Sequence, residues 1–253
     1  MMRLSADATL MGTSLVLFTL AAIAQSTPPT IHGERNTAPI RAVDLLQTKG
    51  IDSSHASLAA ALHNSDPEIR IEAAAVLAEK NDPEATSLIE SALASESNPK
   101  AMVLLASTLM SLDDPAGARR LTEICTDPSL PDQTVADAAF SLVFRGSGAQ
   151  CIDELTKRLR DPNKVDSGMY MIIQTLGPLS KRASPVQQTE ILSVLQNHLS
   201  DKEPTIRLFA SHALAQTGFP NSAEIIKTAL QQEAELMVRA GMESDLAMLT
   251  QKH

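Results

Sequence analysis

Six segments of this chain carry an aliphatic residue at the same offset, and that recurrence limits the fold more than any other feature. Segments beginning at Ile69 (IRIEAAAVL), Ala101 (AMVLLASTL), Thr134 (TVADAAFSL), Val165 (VDSGMYMII), Ile206 (IRLFASHAL) and Val238 (VRAGMESDL) reach Leu77, Leu109, Leu142, Ile173, Leu214 and Leu246 eight residues on. The starts are separated by 32, 33, 31, 41 and 32 residues, and the long interval holds an insert near 177–188. A fixed period of this length marks a stack of similar units, each of which buries its apolar face only against its neighbours.

Each unit reads as turn, helix, turn, helix. Asp66-Pro67, Asn98-Pro99, Asp161-Pro162 and Glu203-Pro204 precede the first helices, and Asp82-Pro83 and Asp114-Pro115 precede second helices. An Asp or Asn before Pro supplies a capping oxygen and a fixed φ for the first helical turn. In the second helices apolar residues recur at helical spacing, as in Leu88, Ile89 and Leu93, or Ile191, Leu195 and Leu199. Ala73, Ala138 and Ala210, four residues after their starts, let neighbouring helices approach closely. Composition agrees: aromatics are 2% and only 10 glycines are present, too few bulky strand formers and tight turns for a sandwich or barrel. The expected fold is all-α, a right-handed α-solenoid of about six antiparallel helix pairs over residues 40–252.

The stretches DPEIRIEAAAVLAEKNDPEATSLIESAL (66–93) and EPTIRLFASHALAQTGFPNSAEIIKTAL (203–230) resemble the bacterial HEAT repeat, with its Asp-Pro, Ile-Arg, Ala-rich first helix and Leu-rich second helix. The resemblance extends over about 40–250 and is weakest from 98 to 127. The Arg of that pattern matches Arg70, Arg207 and Arg239, and its Asp matches Asp66 and Asp201; the resemblance implies a structural ladder in which Arg braces adjacent turns. It also implies partner binding along the second-helix face, and some relatives act as bilin lyases. A repeat family fixes a fold and leaves the partner open.

The first residues carry a different signal. Arg3 precedes an uncharged stretch from Ala8 to Ala24 that ends Ala-Ile-Ala, the pattern of a secretory signal peptide cleaved after Ala24. The rival reading is an uncleaved membrane anchor, since 17 uncharged residues approach the span of a bilayer. Residues 25–39 (from Gln25 through Pro39) read as a flexible linker. No Asn-x-Ser/Thr sequon occurs, and a periplasmic or secreted address is expected. The net charge of −9 is unchanged by loss of Arg3 and Asp7 together, and it disfavours a nucleic-acid partner.

Residues with catalytic or metal-binding potential form no recognisable constellation. His32, His55, His63, His198, His212 and His253 include no pair at zinc-binding helical spacing, and each is expected to be surface or half-buried. Ser147 stands in RGSGAQ without the Gly-x-Ser-x-Gly of a nucleophile elbow, and Gly146 and Gly148 close the preceding helix. No phosphate-binding Gly loop appears. The chain is therefore expected to have no catalytic residue, no metal and no cofactor. Cys125 at the end of one second helix and Cys151 at the start of the next are expected to be free thiols: parallel stacking offsets them by about two turns, on the order of 10 Å, beyond the Cα reach of a disulfide.

These features point to a monomeric, non-enzymatic scaffold or adaptor that binds a protein segment on its second-helix face. Candidate partner contacts are Glu90, Arg119, Arg120, Glu123, Lys157, Arg158 and Lys227, with Lys181 and Arg182 of the insert a second docking place. The alternative is an accessory protein of lyase or cofactor-chaperone type.

Overall fold

The computed structural model describes residues 42–160 and 167–251. The signal peptide, the linker, Asp161-Pro162, His32 and His253 lie outside the described residues. Among those residues there are thirteen α-helices and two short 3-10 turns, with no strand. In chain order the helices are α1 (Ala42–Thr48), α2 (His55–Ala61), α3 (Pro67–Glu79), α4 (Ala85–Ala94), α5 (Pro99–Ser111), α6 (Pro115–Thr126), α7 (Asp132–Phe144), α8 (Ile152–Leu159), α9 (Ser167–Leu179), α10 (Pro185–His198), α11 (Pro204–Thr217), α12 (Ser222–Gln232) and α13 (Leu236–Thr250). Odd-numbered helices are the first of each pair and even-numbered ones the second. First helices pack on the first helices of neighbouring units, and each second helix packs on the first helix that follows it, giving an α-solenoid.

The helix starts follow the sequence chemistry. Asp66, Asn98 and Asp114 are N-caps whose side chains accept from the amides of Glu68, Ala101 and Ala116, each followed by Pro in the first turn. Asp82 accepts from the amide of Glu84, and α4 begins only at Ala85. The turns after four first helices share another device, a left-handed residue: Asn81 (φ 51°), Asp113 (φ 60°), Gly146 (φ 70°) and Gly218 (φ 68°). Gly is the residue best suited to that conformation, and Asn and Asp tolerate it.

The core is aliphatic. Leu77, Leu109, Leu142, Ile173 and Leu214 are all buried, while Leu246 is half-buried. In α13 the buried residues are Val238, Met242, Asp245 and Leu249, so that helix is rotated away from the register of the other five. Gly117 shows how tightly α6 sits on α5: a Cβ there would lie 2.4 Å from the Met110 amide nitrogen and 2.5 Å from the Ala106 carbonyl. As a result α6 packs extensively on both α5 and α7, and these two first helices touch each other less than α7, α9 and α11 do.

Cations brace both edges. Arg70 grips Glu96 with Nε and its second guanidinium nitrogen, both at 2.7 Å, and donates to the carbonyls of Asn64 and Ser65. Arg207 repeats this on Glu233 (2.6 and 2.8 Å) and the carbonyls of Asp201 and Lys202. Arg239 donates to the carbonyls of Leu230 and Glu233. On the opposite edge Lys80 donates to the Ser53 carbonyl, Arg145 to the Met110 carbonyl (2.6 Å) and Arg182 to the Gly146 carbonyl (2.7 Å). Helices this short are marginal alone, and these bridges tie several turns to neighbouring helices.

Two expectations are corrected here. The 177–188 segment is not an irregular insert: α9 continues to Leu179, Ser180–Arg182 form a 3-10 turn, and Ser184 with Gln187 makes a capping box that starts α10. Pro178 lies in the last turn of α9, one residue before the helix ends. Nor are the cysteines free, since Cys125 and Cys151 form a disulfide with Cα atoms 5.4 Å apart. The expected offset assumed second helices stacked in register. Instead Gly148 (φ 97°) and the 3-10 turn Ala149–Cys151 delay the start of α8 until it lies beside the end of α6.

Candidate functional site

The second helices carry side chains that are not consumed by the core, and two concavities open between consecutive ones. Between α10 and α12 lies a groove of about 530 Å³, with an apolar floor of Leu199, Ile225, Ala229 and Ala234. Gln196 and Ser200 on one wall and Thr228 and Gln232 on the other stand one helical turn apart. Arg207 and Glu233 close one end. The Glu233 side chain is only 4% exposed. Its carboxyl is lowered to about 2, because the Arg207 guanidinium and the amides of Glu235 and Ala234 outweigh the cost of burial. The groove therefore offers mostly neutral donors and acceptors over an apolar floor, with Glu224 an exposed carboxylate on its lining and the buried Arg207–Glu233 pair already satisfied.

A smaller groove of about 280 Å³ lies between α4 and α6 and is lined by Glu90, Arg119, Arg120 and Glu123 over Leu93, Ala94, Leu109 and Ala116. Arg120 pairs with Glu123 at 2.9 Å within α6. Arg119 has no ion-pair partner among the described residues. Charged side chains make up a larger share of this lining than of the other.

The structure thus brings four candidate contacts together and separates three. Lys157, 68% exposed on α8, lies 3.6 Å from Glu154 and lines neither groove; Lys227, 63% exposed on α12, lies 3.9 Å from Glu224 just outside the larger one. Arg158 is corrected outright. Its side chain is 4% exposed, inside a buried cluster with Asp132 and Glu154, and it also donates to the carbonyls of Leu130 and Asp127. Position 135, where α7 would hold the Arg equivalent to Arg70, is Val135, so Arg158 supplies the brace from the second helix. The separation of 26 residues between Asp132 and Arg158 equals that of Arg70 and Glu96, with the charges exchanged. Lys181 and Arg182 are exposed, but Arg182 is spent on the Gly146 carbonyl.

Gln196, Ser200, Thr228 and Gln232 were not singled out from the sequence. The signal that marks them is an uncharged polar pair at i, i+4 at the end of each of two successive second helices, the first pair reaching into the turn after α10.

Among the described histidines, His55 Nδ1 donates to the Asp82 carboxylate at 2.8 Å, and His198 is buried, its Nε2 3.0 Å from the Leu159 carbonyl. His212 and Ser211 both reach Asp245, which joins α11 to α13. Among the described residues no group of three or more His, Cys, Asp or Glu side chains could hold a metal ion. Ser147 donates to the Leu142 carbonyl within its turn.

Stacked helix pairs with a second-helix face define an α-solenoid repeat protein. The family model for HEAT repeats matches residues 56–143, and the match includes the 98–127 unit where the sequence resemblance is weakest. No curated protein is similar enough to match. Among solved structures, an engineered protein is similar at 17% identity over 77% of this chain and 95% of its own (TM-score 0.47). Human deoxyhypusine hydroxylase in complex with glycerol is 18% identical over 83% and 79% (TM-score 0.40). A designed armadillo repeat protein in complex with the peptide (KR)4 is 16% identical over 82% and 85% (TM-score 0.41). Likeness at this level transfers no function.

Proposed function

We propose that this protein is a non-enzymatic scaffold that holds a segment of a partner protein against its second-helix face. A HEAT-repeat scaffold suits protein–protein interaction, and the observation that carries the finer reading is the pair of grooves between consecutive second helices. The α10–α12 groove suits an extended stretch of low charge, whose backbone groups meet Gln196, Thr228 and Gln232 while small apolar side chains enter the floor and acidic ones are disfavoured by Glu224. The α4–α6 groove, with Arg119 and Glu90, suits a charged stretch of the same partner. Neither groove has an aromatic lining, so the affinity expected is modest.

The scaffold acts in an oxidising compartment, the periplasm or outside the cell, after cleavage behind Ala24. The buried Cys125–Cys151 disulfide supports that address, because cytosolic thiols are kept reduced. Crosslinking in the native host, followed by mass spectrometry, tests the scaffold reading: one protein recovered with wild type and lost with Ala229→Arg plus Arg119→Glu is expected, and equal recovery with the variant rejects the grooves. N-terminal sequencing of the exported chain tests the address, with Gln25 expected as the first residue.

A further inference from the structure

We propose that the Cys125–Cys151 disulfide is a redox latch that fixes one wall of the α4–α6 groove. Three observations locate it there. First, α6 carries Arg119, Arg120 and Glu123 into that groove, and Cys125 is two residues beyond Glu123 on the same helix. The start of α6 is held against α5 by the close contact at Gly117, and its end is held to the next unit by the disulfide. Second, α8 has little hold of its own. It has 8 residues, the fewest of any second helix after α2, and it starts on a 3-10 turn with no side-chain cap. Helices of that length do not persist without tertiary anchors. Third, its other anchor is a buried charge cluster, Arg158 with Asp132 and Glu154, which is stable only while its geometry is kept. The first-helix layer is also thinnest at this point, where α6 wedges between α5 and α7.

Opening the latch takes a dithiol. One thiolate of the dithiol attacks a sulfur of the pair, forming a mixed disulfide and releasing the other cysteine, which takes up a proton. The second thiol of the reagent then displaces the remaining cysteine, also released as a thiol, and the reagent leaves as its own disulfide. Cys125 and Cys151 are both fully buried, so the reagent enters through local opening of α8 and the end of α6. Oxidised, the groove wall is fixed; reduced, residues 121–126 and 152–159 loosen while the α10–α12 groove keeps its shape.

The test needs no partner, so its failure is distinct from failure of the scaffold reading. Segment-resolved amide hydrogen exchange is measured on the full chain, oxidised and after native-state reduction with dithiothreitol, and on a Cys125→Ala, Cys151→Ala variant. Exchange in 121–126 and 152–159 is expected to rise at least tenfold on reduction and in the variant, with 185–198 and 222–232 changed less than twofold. Unchanged exchange at the latch overturns the proposal, as does a uniform rise along the chain. Reduction that proceeds only at the rate of global unfolding overturns it too.

Discussion

Replacing Glu233 by Gln isolates one bidentate Arg–Glu brace. Glu233 accepts both Nε and the second terminal nitrogen of Arg207, at 2.6 and 2.8 Å, and sits on the turn between α12 and α13. Its carboxyl falls from the ordinary 4.5 to about 2, which corresponds to about 3 kcal/mol of stabilisation of the folded state at neutral pH. Gln keeps the shape and one acceptor oxygen but removes the charge. Arg207 then retains that one neutral oxygen and the carbonyls of Asp201 and Lys202. At pH 7 the variant is expected to be less stable by about 2–3 kcal/mol in urea unfolding. The pH dependence is the sharper readout. A depressed carboxyl contributes stability that is complete above its unfolded value and is lost as pH falls through its folded one. The gap between wild type and Glu233→Gln is therefore expected to be full above about pH 5 and to close between about 4.5 and 2. A gap that stays constant across that range would refute the ion-pair argument.

Gly117→Ala forces a Cβ into the Ala106 and Met110 backbone and is expected to lower stability by about 1–3 kcal/mol, checked by thermal and urea unfolding. Leu142→Asp places a charge in the buried centre and is expected to cost far more than Lys157→Ala on the exposed face of α8; equal melting temperatures would contradict the register. His212 is raised above its ordinary value by its hydrogen bond to Asp245. Its contribution to stability is complete below about pH 6.5 and fades as pH rises through the raised value; Asp245→Asn is expected to remove the upward shift, read by NMR titration of the His212 ring.

The solenoid was legible because its determinants are local. Caps at Asp66, Asn98 and Asp114 and the aliphatic row from Leu77 to Leu214 depend on spacing along one helix, and spacing is visible in a sequence. Arg70 and Arg207 as turn braces were likewise readable from a recurring pattern. What escaped depends on how helices slide and rotate against one another. The Cys125–Cys151 bond required α8 to start late, a shift made by Gly148 and a 3-10 turn. Arg158 looked like a surface cation because its neighbours are charged, yet the absence of Arg from α7 turned it inward to complete the brace. Leu246 left the common row because Asp245 turns toward Ser211 and His212. Of the candidate contacts, Glu90, Arg119, Arg120 and Glu123 converge because they face one another across two successive second helices, a relation that the repeat period alone makes visible.

The central claim is that partners engage the second-helix face. A photo-crosslinking amino acid placed at Gln196 or Arg119, in the two grooves, and at Leu104, exposed on first helix α5, tests it directly in the native host. The account predicts adducts to one and the same protein from Gln196 and Arg119 and none to that protein from Leu104. Equal capture from Leu104, or different proteins from the two grooves, would contradict it.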